Sequence, residues 1–182
     1  MKTVDFSFDK AVCGKLKSLI GLNFKKIKHD ELLYKSSVTG VVGLYVADKV
    51  FELRSEQQPI DYFGAMDDMA VWKLKECQDE DIKSFFCDVT QIEVPISLKI
   101  QSIFLVNEKL STEDYEVYVT RAIIFSFGDY ELAFQKDVVP FSEEICILRG
   151  YNLFEKLEDK DYFFRDWQAN SRPAVTREVV QL

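Results

Sequence analysis

Few side chains in this sequence could do covalent chemistry, and their spacing excludes the common arrangements. There is one histidine, His29, so no paired-histidine metal site can be built. Any Ser-His-Asp or Cys-His mechanism would have to run through that one ring. It lies in the charged run 25–31, which predicts an exposed histidine at a strand end or turn. The four cysteines, Cys13, Cys77, Cys87 and Cys146, are widely spaced among apolar neighbours and read as buried free thiols in a reducing compartment. None are paired at the spacing of a zinc knuckle. No glycine-rich phosphate loop and no Gly-x-Ser-x-Gly elbow occur. A conventional nucleophile, a metal or a cofactor is therefore not expected.

Carboxylates are the remaining candidates. Asp61, Asp67 and Asp68 surround Tyr62, Phe63 and Gly64. Paired carboxylates can hold a divalent cation or act as acid and base in glycoside hydrolysis, but the spacing is not that of an EF-hand, and a solvated acidic loop is the plainer reading. Glu143 and Glu144 precede Ile145 in a strand-like segment, so one of them points inward or Ser142-Glu143 turns; Arg121 or Arg149 would then be the counter-ion. Asp161, Tyr162, Asp166 and Trp167 mix acids with aromatics, the composition of a protein-binding hot spot. A terminal helix packed on the core would look the same.

The elements that must position these groups follow from periodicity. Asp9 is a helix N-cap, and Val12, Leu16, Leu19 and Ile20 form one apolar stripe that ends at Gly21. Val42, Leu44 and Val46 alternate, 47–49 turns, and Phe51 and Leu53 resume, which predicts a β-hairpin. Ala70, Trp72 and Leu74 predict another strand. Asp79 is expected to open a short helix reaching Phe86. Val94, Ile96, Leu98 and Ile100 alternate around Pro95, which favours an edge strand. The clearest strand is 115–127, with only Arg121 interrupting its apolar face; Gly128-Asp129 turns it back into Tyr130, Leu132 and Phe134. Asn152 with Glu155 suggests a capping box opening a C-terminal helix over 152–166. Residues 169–182 are a final strand or a loose tail.

The fold class expected is α+β, predominantly antiparallel β, in a single domain spanning 1–182. Tyr34, Val38, Thr39, Asp48 and Pro59 recur 81 positions later as Tyr115, Val119, Thr120, Asp129 and Pro140. That spacing suggests a duplicated hairpin unit, residues 22–62 and 103–143, and makes the seam between the halves the place to look for a site.

With a net charge of −8, the chain has no dominant positive face, so duplex nucleic acid is not an expected partner. Residues 1–54 carry 10 Lys/Arg against 6 Asp/Glu, net +4, and 55–182 carry 13 against 25, net −12. No apolar run is long enough to span a membrane, and Asp5 and Asp9 stand where a signal peptide needs an apolar core, which leads to a cytoplasmic expectation. The first functional reading is a non-catalytic protein-binding domain, an inhibitor or immunity-type protein masking a basic partner. Its contact residues would be Asp61, Tyr62, Asp67, Asp68, Asp161, Tyr162, Asp166 and Trp167. The alternative is a carboxylate-dependent hydrolase or a small-ligand-binding domain with its site at the seam.

Overall fold

The computed structural model describes residues 1–31, 33–168 and 172–182. Leu32, inside the first proposed copy, and 169–171, at the start of the predicted final strand, lie outside them. Strand dominates, and among the described residues no helix is long and apolar enough to cross a membrane.

Two sheets face each other. The smaller holds β2 (Asn23–Asp30), β4 (Val41–Val46), β5 (Lys49–Tyr62), β6 (Ala65–Cys77) and β7 (Gln91–Lys99), in the order β6-β5-β4-β2-β7. The larger is built from β8 (Ser102–Ser111), β9 (Tyr115–Ser126), β10 (Glu131–Lys136), β11 (Glu144–Gly150) and β12 (Ala174–Gln181), with β3 (Ser37–Thr39) beyond β11. Short turns make nearly all pairings antiparallel. The exception is β1 (Lys2–Phe6), which runs parallel to β9 and was not anticipated from the sequence. The predicted edge position of the proline-containing β7 holds.

Alternation turns one face of each sheet inward. Phe24 of β2, fully buried, meets Phe125 and Phe127 edge-on at 5.1 and 6.0 Å between ring centres. Helix α1 (Lys10–Lys17) links β1 to β2 and brings buried Leu16, with Leu19 just after it, into the same core. Its cap is as expected: Asp9 Oδ1 accepts from the Val12 amide at 2.8 Å.

The hairpins β4–β5 and β9–β10 share one register at the offset of 81. Val42 pairs with Leu53 and Ile123 with Phe134; Leu44 pairs with Phe51 and Phe125 with Leu132. Each hairpin is flanked by one further strand on either side in the same chain order, β2 and β6 in one sheet, β8 and β11 in the other. The offset does not extend to those neighbours, because Leu44 pairs with Ile27 whereas Phe125 pairs with Ile103, 76 positions on. It also fails at the far end, where β5 runs on to Tyr62 but β10 stops at Lys136.

The helical expectations need correction. After Asp79 there is only one 3-10 turn, Asp79–Asp81, followed by irregular chain. The C-terminal helix is reduced to α2 (Leu153–Lys156) and a 3-10 turn at Tyr162–Phe164. Asn152 does not cap α2: it takes a left-handed conformation (φ 51°), and its side chain makes no cap hydrogen bond. Glu131, on the neighbouring strand, replaces it by accepting from the Leu153 amide at 2.7 Å. Replacing Glu131 with Ala is expected to cost about 1 kcal/mol, the usual value of a lost cap, measured by urea denaturation. Of the two readings for the chain end, the strand is found as β12, which pairs with β8 from Ala174 to Gln181.

Candidate functional site

The site begins with an interruption along β9. Strand β10 pairs with β9 from Ala122 to Ser126, while β1 occupies the same edge from Tyr115 to Val119. Arg121 falls in the gap, is the unpaired extra residue of a β-bulge opposite Val106 and Asn107, and is buried with its side chain lining a pocket beside Val119. Its Nη1 donates to the carbonyls of Asp137 (2.5 Å) and Lys136 (3.4 Å), where β10 has ended. Its Nε donates to Glu108 Oε2 at 2.8 Å. Arg121 and Glu108 are both buried.

Glu108 serves a second cation. Its Oε1 accepts from Arg177 Nε at 2.8 Å and Nη2 at 2.5 Å, across the β8–β12 pairing. Lys136 then continues the inward stripe of Leu132 and Phe134 and is only 3% exposed. Its Nζ has no hydrogen-bond partner. Burial, reinforced by the Arg121 charge, pushes its ammonium down to about 7, while Asp137 acts in the opposite sense. On the floor so formed, Arg121 is tied to the buried carboxylate that Arg177 shares, while Lys136 stands beside Arg121 with no acceptor of its own.

The β5–β6 hairpin roofs this floor. Its turn residues Phe63 (φ 50°) and Gly64 (φ 90°) both have positive φ, as a tight two-residue hairpin turn requires. Because β4 ends opposite Arg54, the outer half of the hairpin leaves its own sheet and docks on the larger one. The Ala70 amide donates to the Pro140 carbonyl at 2.9 Å, and Gln57 Nε2 to the Phe141 carbonyl at 3.0 Å. At the tip, Asp61 accepts from Lys2, from the Tyr115 hydroxyl (3.1 Å) and from the Gly64 amide (3.0 Å). Lys2 and Tyr115 hold the Asp61 carboxyl below its ordinary range.

Between roof and floor lies a small pocket walled by Phe6, Tyr62, Met69, Leu110, Val117, Val119, Val138 and Pro140, with Arg121 and Lys136 polar. Its volume is about 20 Å³, room for one water-sized guest. Burial pushes the Tyr62 phenol up, so it presents a neutral hydroxyl.

The eight residues predicted as contacts divide between two places. Asp61 is a clamp of the hairpin tip, Tyr62 is part of the pocket wall, and Asp67 and Asp68 are exposed on β6. Tyr162, Asp166 and Trp167 are also exposed; Asp161 lies 3.9 Å from Arg172. Trp167 packs on Phe163 and Phe164, and the Phe163 ring also meets Phe141. The two groups meet through aromatic neighbours, since Tyr62, Phe63, Phe163 and Phe164 share one cluster with Leu110, Val117 and Val119.

Several residues stand differently from expectation. His29 is buried, not exposed: it is the next-to-last residue of β2, and Nδ1 contacts the Asp30 carbonyl at 2.8 Å. Desolvation lowers its pKa. Cys87 is exposed, whereas Cys13, Cys77 and Cys146 are half-buried, and all four are free. Arg121 is neutralised by Glu108 and not by the 143–144 pair; there, Ser142 turns back to the Val139 carbonyl and Glu143 accepts from the Gln57 amide at 3.3 Å. Lys136 and Glu108 were missed. The available signal was their place in apolar alternations, Leu132-x-Phe134-x-Lys136 and the stretch from Ile103 to Leu110.

No protein-family model, curated protein or solved structure matches this chain.

Proposed function

We propose that the chain is a non-catalytic binding domain whose ligand site is the pocket at the seam between the two halves. The observation that carries this reading is the buried, unpartnered Lys136 amine lining a pocket that Tyr62 of the first unit, with Met69 and Ala70 of β6, closes against Leu110, Val119 and Arg121 of the second. A buried polar group without a partner costs stability, so its retention is most economically explained by something that completes it. The common register of the two hairpins, β4–β5 and β9–β10, supports a repeat at the centre of 22–62 and 103–143. A thermal-shift screen of small acids, amides and amines tests the reading. A guest bound only by the folded state raises Tm with concentration, and the response should be lost in a variant that fills the pocket, Val138→Phe. If no compound class shifts Tm, or if Val138→Phe responds like the parent, the seam is not a ligand site.

A second reading is favoured by a different observation. Exposed Tyr162 and Trp167 stand beside Asp161 and Asp166 on the aromatic cluster that also receives Tyr62. This arrangement suits an inhibitor or immunity-type role against a basic protein, with charge steering encounter and rings anchoring the complex. Capture of a partner whose association rate slows with salt would support it. The hydrolase alternative has less support: Asp61 is occupied by three donors, and Glu143 by the Gln57 amide.

A further inference from the structure

We propose that the floor of the seam pocket is an anion site that takes the carboxylate of a small apolar acid between Lys136 and Arg121. The apolar body would lie toward Tyr62, Met69 and Pro140. This rests on the reading of the seam as a ligand site and adds the class of ligand.

Three features point to an anion. Arg121 and Lys136 are the two charged residues of the pocket lining, and no carboxylate lines it; Glu108, which pairs with Arg121, lies outside the lining together with Arg177. Glu108 accepts from Arg121 and Arg177 and not from Lys136. Lys136 Nζ is enclosed, lines the pocket and lacks an acceptor. A carboxylate would supply the missing acceptor and the missing charge together. The class of acid follows from the walls and the size. Aliphatic and aromatic carbon surrounds the two cations, and the pocket as it stands is too small for more than the head of an acid. A body of several carbons must therefore press outward against the Tyr62–Met69 side of the hairpin, whose outer half is held to the larger sheet by few hydrogen bonds.

Binding of this kind carries a proton signature. Beside the Lys136 amine stand Arg121 from β9 and Asp137 next to it in the chain, with Tyr62 from β5 lining the same pocket. Arg121 keeps its charge at every accessible pH, and burial keeps the Tyr62 phenol protonated through the alkaline range. Lys136, pushed down to about 7, is then the group that changes charge between pH 6 and 9. An anion selects the ammonium form, so affinity should fall about tenfold per unit above pH 7.

Calorimetric titration of the whole chain with acetate, butyrate and benzoate, alongside the matching amides and benzylamine, tests the proposal. Carboxylates are expected to bind at pH 6 and about 100-fold more weakly at pH 9. At pH 8, binding should take up close to one proton, read from buffers of different ionisation enthalpy. Lys136→Met should abolish carboxylate binding and that proton uptake. If amides or benzylamine bind as well as the acids, or if affinity is flat with pH, the anion site is rejected while a seam ligand site stands. Benzoate binding no tighter than chloride would reject the apolar acid. If no probe binds at all, both the anion site and the seam reading fall.

Discussion

Lys136→Met is expected to make the protein more stable at neutral pH, by about 4 kcal/mol, while removing its proposed ligand contact. Met has nearly the same length and needs no hydrogen bond. The sign and pH window follow from the depressed lysine. In the unfolded chain its ammonium persists to about pH 10.4, whereas in the folded protein it is lost near 7. Below pH 7 both states carry the proton, and the folded state bears the full cost of burying it. Between 7 and 10.4 the unfolded state binds more protons, so stability of the parent rises with pH by up to about 1.4 kcal/mol per unit. The advantage of the Met variant should therefore shrink to roughly 2 kcal/mol at pH 9. Urea denaturation at pH 6, 7, 8 and 9 measures both quantities. A Met variant less stable than the parent at pH 7 would mean that the ammonium is satisfied within the fold.

Glu108→Gln should act in the opposite direction. The carboxylate is fully buried and is shared by Arg121 and Arg177. Glutamine keeps the shape but removes the buried negative charge that Arg121 and Arg177 share, leaving the guanidiniums uncompensated. Breaking a buried ion pair from one side costs about 3–5 kcal/mol. For a chain of this size that lowers Tm on the order of 10 °C. Calorimetry of Glu108→Gln and of the double variant with Arg121→Met separates charge from shape. The double variant should recover part of the loss, because an orphaned cation leaves with its partner. Additive losses in the double variant would argue that Glu108 matters by packing alone.

The strands were legible because alternation is a local signal. Val42 to Leu53 and Tyr115 to Phe134 declare two hairpins without reference to anything distant, and each folds as a hairpin. What failed depended on distant partners. Asn152 looked like a cap, but the turn after β11 puts it in a left-handed conformation and hands the role to Glu131, 21 residues earlier. Strand β1 carries little alternation of its own, and its parallel place beside β9 exists only because β10 ends early. For the site, Arg121 announced itself as a charge in an apolar stripe, yet its partner Glu108 could not be chosen over Glu143 or Glu144 from sequence. Lys136 was hidden by the habit of reading a lysine at a strand end as solvated. The pocket wall residue Tyr62 was singled out, but as a surface contact, because nothing in sequence says that the outer half of β5–β6 folds over the other sheet.

The parallel docking of β1 also fixes an order of events during synthesis. Phe6 emerges early, but its partner Val119 lies 113 residues later in the chain. At about 5–20 residues per second, that interval lasts roughly 6–20 s. During it the smaller sheet, complete by Lys99 in sequence, has no opposing layer for its inner face, and the first strand has no edge to join. The nascent chain must therefore carry an uncovered apolar surface through the middle of translation, and chaperone engagement is expected to concentrate between the completion of β7 and the completion of β9.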